Sequence, residues 1–303
     1  MTSQNLVIIV PAYNEERSIV AVIEGLQALG PVFSKQGLKS SIVVINDGST
    51  DTTPELARLA MAEAVISHPV NRGLGAAVRS GLIEARSLRA DIVVKFDADL
   101  QHSPEDIPKL VNPILEKRAD LVYGERFSKI DYKMPLIRRI GNTIFTRLMA
   151  SLTRWPIQDS QPGIFAMNRE YLEHYDIPGD YNYTQQLLMD AYLKGMRFEQ
   201  VPVSFRQRKT GKSFVSLIYP LKVIPQIVLV LVVSRPLSFF FPVGMASFVI
   251  GASVFFYQLG QWLLGDAPKP VSNVNFVLGT LLFGLQTVFF GLLAQLIVVT
   301  RKR

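Results

Sequence analysis

Two aspartates separated by one residue, Asp97-Ala98-Asp99, directly follow the apolar run Ile92–Phe96 and precede Gln101-His102. A short apolar run of this kind reads as a buried strand, so both carboxylates leave the strand end together. Such hard oxygen ligands suit Mg²⁺ or Mn²⁺, which bind through one or two carboxylates and complete their shell with substrate phosphates. A cation held there neutralises charge developing on a departing diphosphate. Alone, the pair also reads as a solvated turn. The apolar strand before it and the helix opened by Pro104 after it favour the metal reading. The other charged candidates are basic. Val203–Arg235 holds six cations (Arg206, Arg208, Lys209, Lys212, Lys222, Arg235) and no acid, and a second basic zone runs from Arg126 to Arg154. Cations in this pattern suit a phosphate or an anionic membrane surface. No recognition motif accompanies them, so nucleic acid is not an expected partner.

The elements that must position these residues alternate. Leu6–Val10, Ser41–Ile45, Ala64–Ser67, Ile92–Phe96 and Leu121–Tyr123 read as strands. Between them Glu15–Leu29, with Asn14 as its cap, a segment from Thr53, Ala76–Ser87 and a segment from Pro104 read as helices. This alternation predicts an α/β fold with a mostly parallel sheet covered on both faces. Ligands of such sheets bind beyond the carboxyl ends of the strands. Pro11–Glu15, Asp47–Ser49, Asp97–Gln101 and Gly124–Arg126 all lie at those ends, which predicts one shared edge. Further on, Arg138–Ser151 and Tyr183–Lys194 read as helices and Arg197–Phe205 as a strand.

Two apolar stretches, Pro236–Leu264 and Asn275–Thr300, carry no charged residue inside. Each meets the ~20 residues a bilayer-spanning helix needs. Arg235 precedes the first and Arg301-Lys302-Arg303 follows the second, so both outer ends are expected on the cytoplasmic side. Residues 1–213 then form a cytoplasmic catalytic domain, 214–234 interfacial amphipathic helices, and 235–303 a transmembrane hairpin with a basic tail. A third span within Val215–Val233 is the alternative, and it reverses that parity. Small residues in the spans, among them Gly244, Gly251, Gly284 and Gly291, permit close helix packing and with it a homo-oligomer. Met1–Val10 has no basic start and runs into a strand, so no signal peptide is expected. The 303 residues carry a net charge of +7 and no cysteine. Disulfides, thiolate zinc sites and cysteine nucleophiles are thereby excluded.

Four segments, Val10-Pro11-Ala12-Tyr13-Asn14-Glu15-Glu16, Asn46-Asp47-Gly48-Ser49-Thr50-Asp51, Asn71-Arg72-Gly73-Leu74-Gly75-Ala76-Ala77 and Asp97-Ala98-Asp99-Leu100-Gln101-His102, occur in the order seen in family 2 glycosyltransferases of the GT-A fold. The chain most resembles their dolichol-phosphate mannose synthase and polyprenyl-phosphate glycosyltransferase branch, over Leu6–Ser213. The resemblance implies a Rossmann-like GT-A domain that transfers one sugar, with inversion, from a UDP- or GDP-sugar to a dolichyl or undecaprenyl phosphate. By the same resemblance Pro11, Ala12, Tyr13 and Glu15 line the nucleobase and ribose pocket, with Asp47 holding base or ribose. Asp97, Ala98 and Asp99 meet the diphosphate, the two aspartates and Gln101 through Mg²⁺ or Mn²⁺. Arg126 faces the acceptor phosphate, assisted by Arg138 or Arg139. Asp159 sits near the reacting sugar, as a base or as an orienting group. Arg206 and Lys212 belong to a basic loop that closes over the diphosphates.

Several positions depart from the family pattern. Asn46 stands where an aspartate is usual, Pro162 and Phe165 replace a serine and an arginine around Gly163, and Gln185-Gln186 lies where relatives carry an acid. The Gln-x-x-Arg-Trp signature of processive polysaccharide synthases is missing. A transferase with a hydroxyl acceptor and a non-catalytic nucleotide-binding scaffold are the alternative readings.

Overall fold

The computed structural model describes residues 3–127, 136–177, 180, 183–206 and 236–300, with backbone alone for 136–141. These fall into two compact units, one within Met1–Phe214 and one within Val215–Arg303.

In the first unit the chain alternates: β1 (Gln4–Ala12), α1 (Ile19–Gln27), α2 (Gly30–Lys35), β2 (Leu38–Asn46), α3 (Thr53–Leu59), β3 (Ala64–Ser67), α4 (Leu74–Ser87), β4 (Ile92–Lys95). A 3₁₀ turn at Pro104–Asp106 leads into α5 (Ile107–Leu115), then β5 (Leu121–Glu125), α6 (Leu136–Thr153), β6 (Phe165–Asn168), α7 (Arg169–His174), α8 (Tyr183–Leu193) and β7 (Phe198–Pro202). The strands form one sheet in the order β3-β2-β1-β4-β6-β5-β7. All neighbours are parallel except β6, which runs antiparallel to β4 and to β5. The expected α/β architecture is present, and β6 is an addition to it.

Leu6–Val10 is apolar at every position because both faces of β1 are covered. Leu6, Ile8 and Val10 join the cluster formed with α1, α5 and Phe33 of α2. On the other face α4 lies so close that a Cβ on Gly81 would sit 2.9 Å from Ile9 Cδ1. Each such fully buried aliphatic side chain contributes about 1.5–3 kcal/mol. The helix expected from Glu15 starts four residues later, at Ile19. Asn14 does not cap it: its backbone is left-handed, φ 54°.

The second unit holds two helices, Pro236–Leu263 and Val274–Thr300. They pack along Gly244, Gly251, Gly284 and Gly291, and a Cβ on Gly284 would lie 2.6 Å from the Gly244 carbonyl oxygen. Only 11% and 17% of their most apolar stretches is buried, unlike a core helix of a soluble domain. Their length, composition and outward-facing apolar side chains suit a bilayer. The expected interfacial helices at 214–234 and the basic tail 301–303 lie outside the described residues.

Candidate active site

Because β1, β2 and β4 are parallel and β5 is aligned with them through the antiparallel β6, Ala12, Asn46, Lys95 and Glu125 end on one edge of the sheet. β6, running the other way, brings Gly163 to the same edge at its start. The loops after β1 and β2 are tied together there. Asn14 accepts from Thr50 N at 2.8 Å through its side chain, and its own N–H donates to Ser49 Oγ at 3.0 Å. Glu15 N donates to Thr53 Oγ1 at 2.8 Å. The Glu15 carboxylate accepts from Ser18 Oγ, also at 2.8 Å. Pro11 and Ala12 are buried beneath this lattice, while Tyr13 is exposed at its surface.

Asp47 is 3% exposed, and its carboxylate is engaged by the protein itself. It accepts from Arg72 N at 3.0 Å and Gly73 N at 2.8 Å. It also lies 2.7 Å from His68 Nδ1, whose Nε2 is 2.9 Å from Ser80 Oγ. These contacts make Asp47 the brace of the Asn71–Gly73 loop. Asn46 is likewise committed, donating to Ser67 Oγ at 3.1 Å and accepting from Ser49 N at 3.0 Å.

Beyond β4, Asp97 and Asp99 are both partly exposed at the edge. Asp99 Oδ1 accepts from Gln101 N at 3.1 Å, which fixes the turn. Gln101 Nε2 donates to Arg206 O at 3.1 Å, and Arg206 N donates to Gln101 O at 2.8 Å. This pairing sets the amide orientation and leaves Oε1 as its acceptor end. No cluster of three or more His, Cys, Asp or Glu able to hold a metal occurs among the described residues. Two carboxylates and an amide oxygen nevertheless fit Mg²⁺ or Mn²⁺, which draw their remaining ligands from water and phosphate.

Two buried groups, Lys95 and His102, crowd the same place, and Lys95 was not expected from sequence. Lys95, 1% exposed, donates from Nζ to Asp97 Oδ1 and to the Gly163 carbonyl. Burial opposes its charge, but Asp97, then Tyr183 and Asp99, hold its pKa above the ordinary lysine value. His102 is wedged against Phe205, with ring centroids 5.0 Å apart, and its Nε2 lies 4.0 Å from Asp97 Oδ2. Neither ring nitrogen has a hydrogen-bond partner. Burial pushes its pKa down to about 4, so it is neutral near pH 7 and adds no positive charge.

Gly163 sits between these groups. A Cβ there would lie 2.8 Å from Asp97 Oδ2 and 2.9 Å from His102 Cδ2. Gly163→Ala is therefore expected to displace Asp97 or His102, destabilising the fold by about 1–3 kcal/mol. Cation affinity should fall by roughly tenfold or more. Denaturant unfolding and Mn²⁺ titration followed by electron paramagnetic resonance measure both effects.

At the same edge, Arg126 and Asp159 meet directly. Arg126 Nε lies 2.7 Å from Asp159 Oδ2 and Nη2 3.1 Å from Oδ1, with Asp159 wholly buried. Asp159 Oδ1 also accepts from Gln161 N at 3.0 Å, and Gln200 Nε2 holds its main-chain carbonyl at 2.6 Å. The guanidinium stacks over Phe205 at 5.2 Å. Beside this pair lies a cavity of about 430 Å³ lined by Glu125, Phe127, Asn142, Thr146, Arg147 and Gln158. Arg206 is exposed, and its backbone is tied to Gln101. Arg138 and Arg139 lie in the first turns of α6, where only the backbone is described, and Lys212 lies outside the described residues.

The signal for Lys95 was present but weak. A lone lysine inside an apolar strand, two residues before Asp97 and hence on the same face, is the only local hint of a buried cation. For Gly163 and His68 the constraint is purely tertiary.

The chain matches the family model described as glycosyl transferase family 2 over residues 7–176. It is 32% identical to the UDP-N-acetylglucosamine–dolichyl-phosphate N-acetylglucosaminyltransferase of Methanococcus voltae, covering 57% of this chain and 73% of that protein. It is 30% identical to the dolichyl-phosphate hexose transferase of Haloferax volcanii, covering 68% and 85%. The fold resembles crystalline glucosyl-3-phosphoglycerate synthase from Mycobacterium tuberculosis with Mn²⁺ and UDP, at a TM-score of 0.59 and 24% identity, covering 75% of this chain and 78% of that one. An acidic pair, a braced loop lattice and a buried arginine at one sheet edge, within a family match spanning more than half the chain, lead to one conclusion: the protein is a glycosyltransferase and belongs to glycosyl transferase family 2.

Proposed function

We propose that the enzyme transfers a single sugar, with inversion, from a UDP- or GDP-sugar to a polyprenyl phosphate, dolichyl or undecaprenyl, at the cytoplasmic face of a membrane. One observation carries this reading: Asp97 and Asp99 share a sheet edge with the buried Arg126. That edge offers a cation site to one phosphate group and a guanidinium to another. The relatives named for dolichyl-phosphate transfer support the acceptor class, and the two long apolar helices support an acceptor met at a membrane.

The residues divide the work by charge. When bound through Asp97, Asp99 and Gln101, a divalent cation supplies neutralisation of the diphosphate leaving group. Arg126 offsets the charge of the acceptor phosphate, assisted by Arg138 or Arg139. Arg206 and Lys212 screen the donor diphosphate. Fixed charges of this kind require no reorganisation as the reaction proceeds. An acceptor phosphate with a second pKa of ~6 is already largely anionic at neutral pH, so the nucleophile needs no strong base. The commitment of both Asp159 oxygens to other groups fits that economy. Asp159 thus positions Arg126 and is not required to take a proton.

Pro11, Ala12, Tyr13 and Glu15 form one wall of the nucleoside pocket, and Asp47 acts on it through the Asn71–Gly73 loop. His68→Ala should then raise the donor KM by roughly tenfold while changing kcat little, because a ground-state contact is loosened. Steady-state kinetics at saturating acceptor measure the split.

The deciding experiment incubates the purified protein with polyprenyl phosphate and a panel of labelled nucleotide sugars. The expected product is lipid-extractable and acid-labile, as a sugar phosphodiester is. Label transferred only to hydroxyl acceptors, with the polyprenyl phosphate ignored, overturns the reading.

A further inference from the structure

The buried ammonium at the end of β4 has no counterpart in the chemistry so far described. Lys95 is the one charged residue of β4, 1% exposed, and its Nζ spans Asp97 Oδ1 and the Gly163 carbonyl. It thereby joins the strand that carries the acidic pair to the turn that leads from Asp159 into β6. The pairing Lys95↔Phe165 keeps these two backbones in register. Asp97 is held through Oδ1, and its Oδ2 lies 4.0 Å from the buried, unpartnered His102 Nε2.

We propose that Lys95 is the positioning residue of the cation site, and that its charge makes cation uptake depend on the donor's diphosphate. This rests on the metal-and-nucleotide reading above. Two consequences follow from the geometry. Lys95 fixes the Asp97 side chain, which stays partly exposed, so the site is ordered before any ligand arrives. With Lys95 counted, Asp97 and Asp99 give the empty site a net charge of −1, too little to capture a free divalent ion strongly. The anionic oxygens of the nucleotide complete the shell and the charge balance. Cation and nucleotide therefore bind as a coupled pair, each raising the other's affinity by the same factor.

The test measures Mn²⁺ affinity by electron paramagnetic resonance on the full chain, without nucleotide and with UDP or GDP. Native protein should show a gain of at least roughly tenfold from one of the two nucleotides. Lys95→Gln keeps an amide donor for the Gly163 carbonyl and removes the charge that holds Asp97, whereas Lys95→Met removes both. In each variant the gain should shrink toward onefold. Free Mn²⁺ binds better to the unscreened carboxylates, and the unfixed Asp97 contributes less to the combined site. Thermal unfolding of each variant reports separately on folding.

A merely structural lysine lowers both affinities together and leaves their ratio unchanged; that result in the folded Lys95→Gln protein overturns the proposal. Native protein that binds Mn²⁺ equally well with and without nucleotide overturns it as well. Failure of the native chain to bind Mn²⁺ with either nucleotide instead overturns the donor reading itself.

Discussion

Replacing Asp99 by asparagine is expected to lower sugar transfer by about 10³-fold, the equivalent of several kcal/mol of charge stabilisation at the leaving group. The fold should survive. Asp99 is partly exposed, and an asparagine oxygen can still accept from Gln101 N, as Oδ1 does at 3.1 Å. What disappears is a formal charge at the cation site. The same variant should lose most of its Mn²⁺ affinity while its unfolding midpoint moves by only a few degrees, within the ~4 °C per kcal/mol expected for a domain of this size. Direct product assay with extracted lipid, alongside a thermal scan, decides it. Full activity with the charge removed would exclude a catalytic cation at Asp97 and Asp99. Asp97→Asn is a poorer test, because it also strands the buried Lys95 ammonium.

The second large effect is expected at Arg126, where stability and activity can be separated. Arg126→Gln leaves Asp159 buried at 0% exposure with its bidentate partner gone. Breaking a buried pair from one side costs about 3–5 kcal/mol, and transfer should fall with it. Removing both charges, as in Arg126→Met with Asp159→Leu, should recover most of that stability, since well-packed apolar replacements of buried pairs are often neutral. Phe205, over which the guanidinium now stacks, offers the methionine a packing surface. Activity should not recover, because the acceptor phosphate has lost its guanidinium. Denaturant titrations and transfer assays on the three proteins check both halves. A stable double variant with near-native turnover would remove Arg126 from the chemistry.

The sheet was legible in the sequence where burial on both faces wrote itself as an unbroken apolar run, as in Leu6–Val10 and Ile92–Val94. The shared edge was legible too, since parallel alternation alone forces the motifs after β1, β2, β4 and β5 together. Asn14 misled because the same short polar side chain that caps helices also tolerates a left-handed backbone, and its partner Thr50 is distant in sequence. β6 was missed because four residues, Phe165–Asn168, carry no periodicity of their own and become a strand only between β4 and β5. Asp47 was singled out from sequence, yet its partners His68, Arg72 and Gly73 come from another loop. The Arg126–Asp159 pair required two separate picks to be seen as one object. In each case the missing information was which chain segment faces which.

β6 also dictates an order of assembly. Among the described residues it alone bridges β4 to β5, and its Phe165 reaches Lys95 from roughly 70 positions further along the chain. As the polypeptide leaves the ribosome, the first four strands can associate early, but β4 keeps an open hydrogen-bonding margin until β6 emerges. Through that interval the nascent protein carries an adhesive rim. A translational pause or chaperone engagement within this stretch should therefore influence yield more than one placed earlier.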